Sequence, residues 1–158
     1  MKYFTSIIAL CVLASCTPKI NIDKPISTEE EQIMKDLIQG VFDDIWSVKD
    51  PSKLLNYHTS DFIILEHGEV WDNNRIKGWM AGRLEQGSLP RRVNRMEYIS
   101  IDKYGPSIQV AYHNYAEFYR ADTLAFEASW LESAVAVPTE NGWRLKMMHS
   151  TRMPKKEN

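Results

Sequence analysis

Cysteine is nearly absent from this chain: its 158 residues include two, Cys11 and Cys16, both close to the start. Residues 17–158 therefore hold no disulfide and no thiol nucleophile. An excess of charge of one sign is lacking too. Nineteen Lys and Arg stand against 21 Asp and Glu, a net charge of −2, which argues against the basic footprint of a nucleic-acid-binding protein. No glycine-rich phosphate loop and no Gly-x-Ser-x-Gly elbow occurs, and nothing calls for a cofactor. His58, His67, His113 and His149 show no His-Glu-x-x-His or comparable spacing, so no metal site is expected. Internal repeats and low-complexity segments are also missing.

What is present begins with the first sixteen residues. Lys2 supplies a positive start, and Phe4 to Ala14 is a mostly apolar run too short to span a bilayer as a permanent helix. It closes on Leu13-Ala14-Ser15-Cys16, which resembles the bacterial lipobox. That likeness implies removal of residues 1–15, a diacylated Cys16 thiol and an acyl chain such as palmitate on the new amino terminus. Several acyl chains anchor a protein firmly, because each buried methylene contributes about 0.8 kcal/mol. The alternative is an ordinary signal segment with an incidental cysteine. Thr17 rather than Asp follows Cys16, which points to a lipid-anchored cell-envelope protein in the outer membrane of a Gram-negative bacterium. Residues 16–26, with Pro18 and Pro25, read as a tether, and residues 154–158 as a charged, disordered tail.

Residues 27–153 read as one α+β domain. Thr28 and Glu31 suggest a capping box, and Ile33, Met34, Leu37, Ile38, Val41, Phe42, Ile45 and Trp46 recur at helical spacing. Asp50-Pro51 ends this helix and opens a short second one. A strand over residues 61–66, a turn at His67-Gly68, a brief return through Val70-Trp71 and a third helix capped by Asp72 follow. From residue 92 the period becomes two. Long strands are expected over 92–104, 107–120, 123–137 and 143–152, joined by turns at Gly105-Pro106, Ala121-Asp122 and Asn141-Gly142. Helices followed by an antiparallel meander give a curved sheet with helices on its concave face, a cone with one open end.

Counting outward from two-residue turns pairs His113 with Trp130 and Ala111 with Glu132. One face then carries Ala111, His113, Tyr115, Glu117, Phe126, Ala128, Trp130 and Glu132, joined by Met96, Tyr98, Trp143, Leu145, Met147 and His149. It is read as the interior. The other face, with Val110, Tyr112, Asn114, Ala116, Phe118 and Met148, is read as a solvated back or a homodimer interface. Two histidines, two carboxylates and two tyrosines inside a core need partners, since an unsatisfied buried polar group costs about 1–3 kcal/mol. His113, Glu132 and His149 are thus the candidate acid/base set, and Tyr57, Trp79, Tyr98, Tyr115 and Trp130 the candidate ligand wall. The plain alternative is that the polar groups satisfy one another and the aromatics are simply core.

The amphipathic helix ending in Trp46, the segment Tyr57-His58-Thr59-Ser60-Asp61-Phe62 and the ending from Asn141 to Ser150 together resemble the SnoaL-like group of the nuclear transport factor 2-like superfamily. The usual ending there is Gly-Trp-Arg/Lys-Ile-x-x-x-His-x-Ser. Gly142, Trp143, Arg144 and His149 fit it, Leu145 replaces Ile, and Ser150 falls one position early. The resemblance spans residues 28–153. It implies a cone with a pocket, frequently a homodimer through the outer sheet face, and a range of roles from isomerase, cyclase and dehydratase to pure binding or assembly. Because catalytic residues differ between those subfamilies, none transfers. The expected role is a membrane-anchored domain that binds a small, partly apolar molecule. The alternatives are a cofactor-independent isomerase, cyclase or hydrolyase, and a non-catalytic assembly lipoprotein. No residue pattern decides between binding and catalysis.

Overall fold

The computed structural model describes residues 25–154; the signal segment, Cys16, most of the tether and most of the tail lie outside the described residues. Helix α1 (Thr28–Gly40) continues directly into a π-helical stretch, Val41–Val48. Its capping box sits one residue earlier than Thr28 and Glu31 suggest. The Ser27 hydroxyl accepts from the Glu30 amide at 3.1 Å, and the Glu30 carboxylate accepts from the Ser27 amide at 3.1 Å. Met34, Leu37, Ile38, Val41, Phe42, Ile45 and Trp46 are buried along it. The helix ends at Lys49, whose φ of 65° reverses the chain. The Lys49 ammonium folds back to donate to the carbonyls of Trp46 and Ser47, at 3.3 and 3.0 Å, so the buried cation partners carbonyls that the helix leaves open.

A 3₁₀ turn capped by Asp50 leads into the short helix α2 (Leu54–Tyr57). Strands β1 (His58–Glu66) and β2 (Glu69–Asp72) form a hairpin, and Asp72 caps α3 (Asn73–Glu85) through its carboxylate, 2.7 Å from the Arg75 amide. The long meander follows as β3 (Arg91–Tyr104), β4 (Ser107–Arg120), β5 (Thr123–Thr139) and β6 (Gly142–Arg152). The six strands lie in the order β2-β1-β6-β5-β4-β3. All neighbours are antiparallel except β1 and β6, which run parallel. The sheet therefore departs in one place from the all-antiparallel expectation. Helices cover one face, and Phe62, Ile64, Ile108, Val110, Tyr112, Ala134, Ala136, Leu145 and Met148 meet them there.

The turns at Gly105-Pro106 and Ala121-Asp122 form as expected, pairing Tyr104 with Ser107 and Arg120 with Thr123. The last turn is Glu140-Asn141, with Thr139 opposite Gly142. The register beyond the turns differs from a simple count, because Ile99, Ala125 and Lys146 are each an extra residue in their strand. A bulge of this kind adds one residue against an unbroken partner, and a one-residue slip exchanges the two faces of a strand. Glu132 thus pairs with Tyr112 and Trp130 with Asn114, while His113 pairs with Leu131. The interior of β4 is Val110, Tyr112, Asn114 and Ala116, all buried, and Ala111, His113, Tyr115 and Glu117 face outward. On β6, Leu145 is interior, but beyond the bulge Met148 and Ser150 replace Met147 and His149.

Candidate functional site

A cavity of about 180 Å³ opens between the helices and the concave face. Trp46 comes from the π-helical stretch, Trp71 from β2, Trp79 from α3 and Trp130 from β5, with Phe42 and Ile64 alongside. Trp79 is the hub of the aromatic wall, its ring 5.2 Å from Trp46 and 6.3 Å from Trp71. The rest of the lining is polar, made by Glu66, His67, Arg92, Glu132 and Ser150.

Glu132 sits at the centre of a buried hydrogen-bonded chain. The Ser150 hydroxyl donates to one carboxylate oxygen at 2.8 Å and the Asn114 amide to the other at 3.2 Å. Asn114 in turn accepts from the Asn94 amide at 2.6 Å, and Asn94 accepts from the Ser47 hydroxyl at 3.4 Å. The Tyr112 hydroxyl lies near Glu132, yet it is buried without a hydrogen bond of regular geometry. Burial raises the Glu132 pKa to about 7, against the pull of Ser150, Asn114 and Arg92 in the other direction. Removing a carboxylate from water disfavours its charge, and these partners only partly compensate. Glu66 is pushed upward as well, again by burial, and its carboxylate meets the His67 imidazole at 2.8 Å.

Arg92 is a half-buried charge beside Glu132. Its guanidinium carbon lies 4.9 Å from the Trp130 ring centre, 5.5 Å from Phe42 and 5.6 Å from Phe118. Burial lowers its pKa to about 10, while Glu132 and Glu66 pull it back up. Among the described residues, no carboxylate comes within ion-pair distance of it, and its Nε is buried without a partner. The cation lies among aromatic faces and is attracted at longer range by Glu132 and Glu66.

Another buried ionisable group lies apart from the pocket lining. His58 stacks on Phe62 with ring centres 3.7 Å apart, and its Nδ1 is 2.9 Å from the Asn73 side-chain oxygen. Because the Asn73 amide nitrogen already donates to the Thr59 carbonyl at 2.8 Å, that oxygen must accept and His58 Nδ1 carries the proton. Burial lowers the His58 pKa to about 4, so this imidazole is neutral.

Of the residues singled out from the sequence, Glu132, Trp79 and Trp130 converge on the cavity. The expectation that His113 and His149 share a face with Glu132 is corrected by the bulges at Ala125 and Lys146. His149 is exposed on the convex side, beside Leu65, Val70 and Thr151 in a shallower groove of about 560 Å³. His113 stacks near Tyr115 on that same side, at 5.9 Å. Tyr98 packs toward α1 and donates to the Lys35 carbonyl at 3.2 Å. Tyr57 donates to Asp44 at 2.6 Å and presses so closely on Gly40 that a Cβ there would meet its ring at 2.5 Å. The smaller cavity, rather than the groove, concentrates groups whose acidity is perturbed by burial, Glu66, Arg92 and Glu132, the usual mark of a functional site.

Sequence reasoning passed over Arg92, Asn94, Asn114 and Ser150. One signal for them was available. In β4 the set Val110, Tyr112, Asn114, Ala116 and Phe118 is more apolar than Gln109, Ala111, His113, Tyr115 and Glu117, so composition alone favours the first set as interior.

No family model and no curated protein matches the chain. Solved structures do. A protein with a cystatin-like fold from Nostoc punctiforme superposes with a TM-score of 0.67 at 12% identity, covering 84% of this chain and 97% of that one. A nuclear transport factor 2-like superfamily protein from Salmonella enterica gives 0.62 at 13% identity, over 80% and 92%. A ketosteroid isomerase-like protein from Erwinia carotovora gives 0.60 at 11% identity, over 82% and 100%. The chain therefore has the nuclear transport factor 2-like, cystatin-like α+β fold. At these identities the likeness concerns the fold, and function rests on the site.

Proposed function

We propose that this domain binds a small, flat, partly apolar molecule in its cone, and that residues 1–16 deliver it to the cell envelope as a lipid-anchored protein. The observation carrying the binding role is the tryptophan-walled cavity lined also by Glu132 and Ser150. An aromatic wall supplies apolar area and stacking faces, and a few fixed polar groups supply orientation. Neutral and charged single-ring compounds, titrated against intrinsic tryptophan fluorescence and thermal stability, test it. Failure of every compound to change either signal sinks the reading. The lipobox residues Leu13 to Cys16 support the anchor, and Cys16→Ser should move the protein from the membrane to the soluble fraction.

A second reading has its own support. Glu132, with a pKa near 7, is suited to take up and return a proton at neutral pH, as a cofactor-independent isomerase, cyclase or hydrolyase requires. Under this reading Glu132 is the base and His113 and His149 stay outside the reaction. Once a substrate is found, Glu132→Gln should abolish turnover while binding survives; unchanged turnover rules the reading out. The exposed Leu131 and Leu65 on the convex face are where a homodimer would form, and light scattering on the full chain tests that.

A further inference from the structure

Resting on the binding reading above, we propose that the molecule bound in the cone carries a carboxylate on an aromatic ring, seated on Arg92. The size of the cavity sets the first limit. About 180 Å³ lies well below the roughly 300–1,000 Å³ of drug-sized ligand sites, which suits one ring with a short arm. The tryptophan wall selects a flat ring. The polar lining selects the arm.

None of the five N–H donors of Arg92 makes a hydrogen bond among the described residues; its Nε is buried, and the terminal nitrogens keep some accessible surface. Such a group is seldom buried without a carboxylate or phosphate partner, because its fork geometry matches those anions. Glu132 is the obvious internal partner, yet its bonds go to Ser150 and Asn114 and it forms no ion pair with Arg92. Glu66 turns instead to His67. Arg152 stacks on the same Trp130, 4.5 Å from its ring centre, and adds a second positive charge near Arg92. Lys49 lies 6.0 Å over Trp79. With Glu132 largely protonated below about pH 7 and Glu66 paired with His67, positive charge prevails around Arg92. A carboxylate there gives Arg92 the bidentate partner the protein withholds, while the ring lies against Trp79 and Trp130.

Three probes of one shape separate the possibilities: phenylacetate, phenylacetamide and phenethylamine, each titrated by calorimetry into the full chain in detergent micelles at pH 6.5. Phenylacetate should bind at least tenfold more tightly than the amide, and the amine most weakly. Arg92→Met should erase the preference of the acid over the amide while leaving the unfolding transition cooperative. Equal binding of acid and amide, tighter binding of the amine, or an acid preference that survives in R92M would overturn the carboxylate assignment and leave the cavity as a binding site for uncharged or cationic ligands. Absence of binding by all three probes overturns both the assignment and the pocket reading on which it rests. The comparison of probes on the unaltered protein decides the matter even if R92M fails to fold.

Discussion

The two faces of the sheet are made from the same strands and nearly the same residue types, yet they do different things. The concave face buries Asn94, Asn114, Glu132 and Ser150 as one connected polar chain inside an apolar core. The convex face carries His113, Tyr115, Met147 and His149, none of them buried. Neighbours in sequence are divided between these worlds: Met148 is fully buried and Met147 is not, Ser150 is buried and His149 is exposed. The contrast teaches that chemistry here follows environment. A carboxyl on the concave face is pushed to a pKa of about 7, whereas the exposed carboxyl of Glu97, on the outward side of β3 beside Arg95, is shifted downward by that neighbour.

The largest way to break the contrast is at the bulge in β6. Met148→Ala should cost about 2–5 kcal/mol in urea unfolding, as for a large-to-small change in a packed core. Met147→Ala should cost under about 1 kcal/mol. Similar values for both would mean that Lys146 is not the extra residue.

Next comes acidity. The Glu132 pKa is raised on folding from its ordinary 4.5 to about 7. The folded protein therefore holds a proton the unfolded chain has lost. The stabilisation is full below pH 4.5 and disappears as pH rises through 7, by roughly 3 kcal/mol at about 1.4 kcal/mol per unit. His58 has the opposite sign. Its pKa falls from 6.5 to about 4, so its contribution is present above pH 6.5 and lost as pH falls through 4. The two offset each other between pH 4.5 and 6.5. Glu132→Gln should unmask His58, and stability of that variant should climb by roughly 3 kcal/mol from pH 4 to 6.5 where the unaltered protein stays nearly level. Parallel curves for the two proteins would show that Glu132 titrates normally.

A smaller effect tests the network. Asn114→Ala strands the Asn94 amide and one Glu132 oxygen, and should cost about 1–3 kcal/mol. It should also raise the Glu132 pKa further, which a carboxyl infrared band followed against pH can read. The smallest expected effect lies on the convex face, where His149→Ala should change stability by no more than about 0.5 kcal/mol. A loss above that would place His149 in a structural contact on this face.

Much of the fold was readable from the residues. Apolar spacing marked α1, Asp50 and Asp72 announced their caps, and alternation marked all four strands of the meander with two of its three turns in place. These are local properties: propensity, capping and period need only a residue and its near neighbours. The site was less legible, because a site depends on which residues face each other across strands. Ile99, Ala125 and Lys146 are ordinary strand residues with no Gly or Pro to announce a bulge. Without that mark, a count from each turn stays in phase for a few pairs and then selects the wrong face.

The sequence by itself determined the α+β order, the long-strand meander, the aromatic supply and the presence of Glu132 and Trp130 on an inward face of β5. Only the tertiary structure decided that Arg92, Asn114 and Ser150 stand with them and that His113 and His149 do not. The reason is the period of a strand. A helix that gains one residue turns by about 100°, but a strand that gains one turns its side chains to the opposite side, so three single-residue bulges decide which groups are buried and which face water.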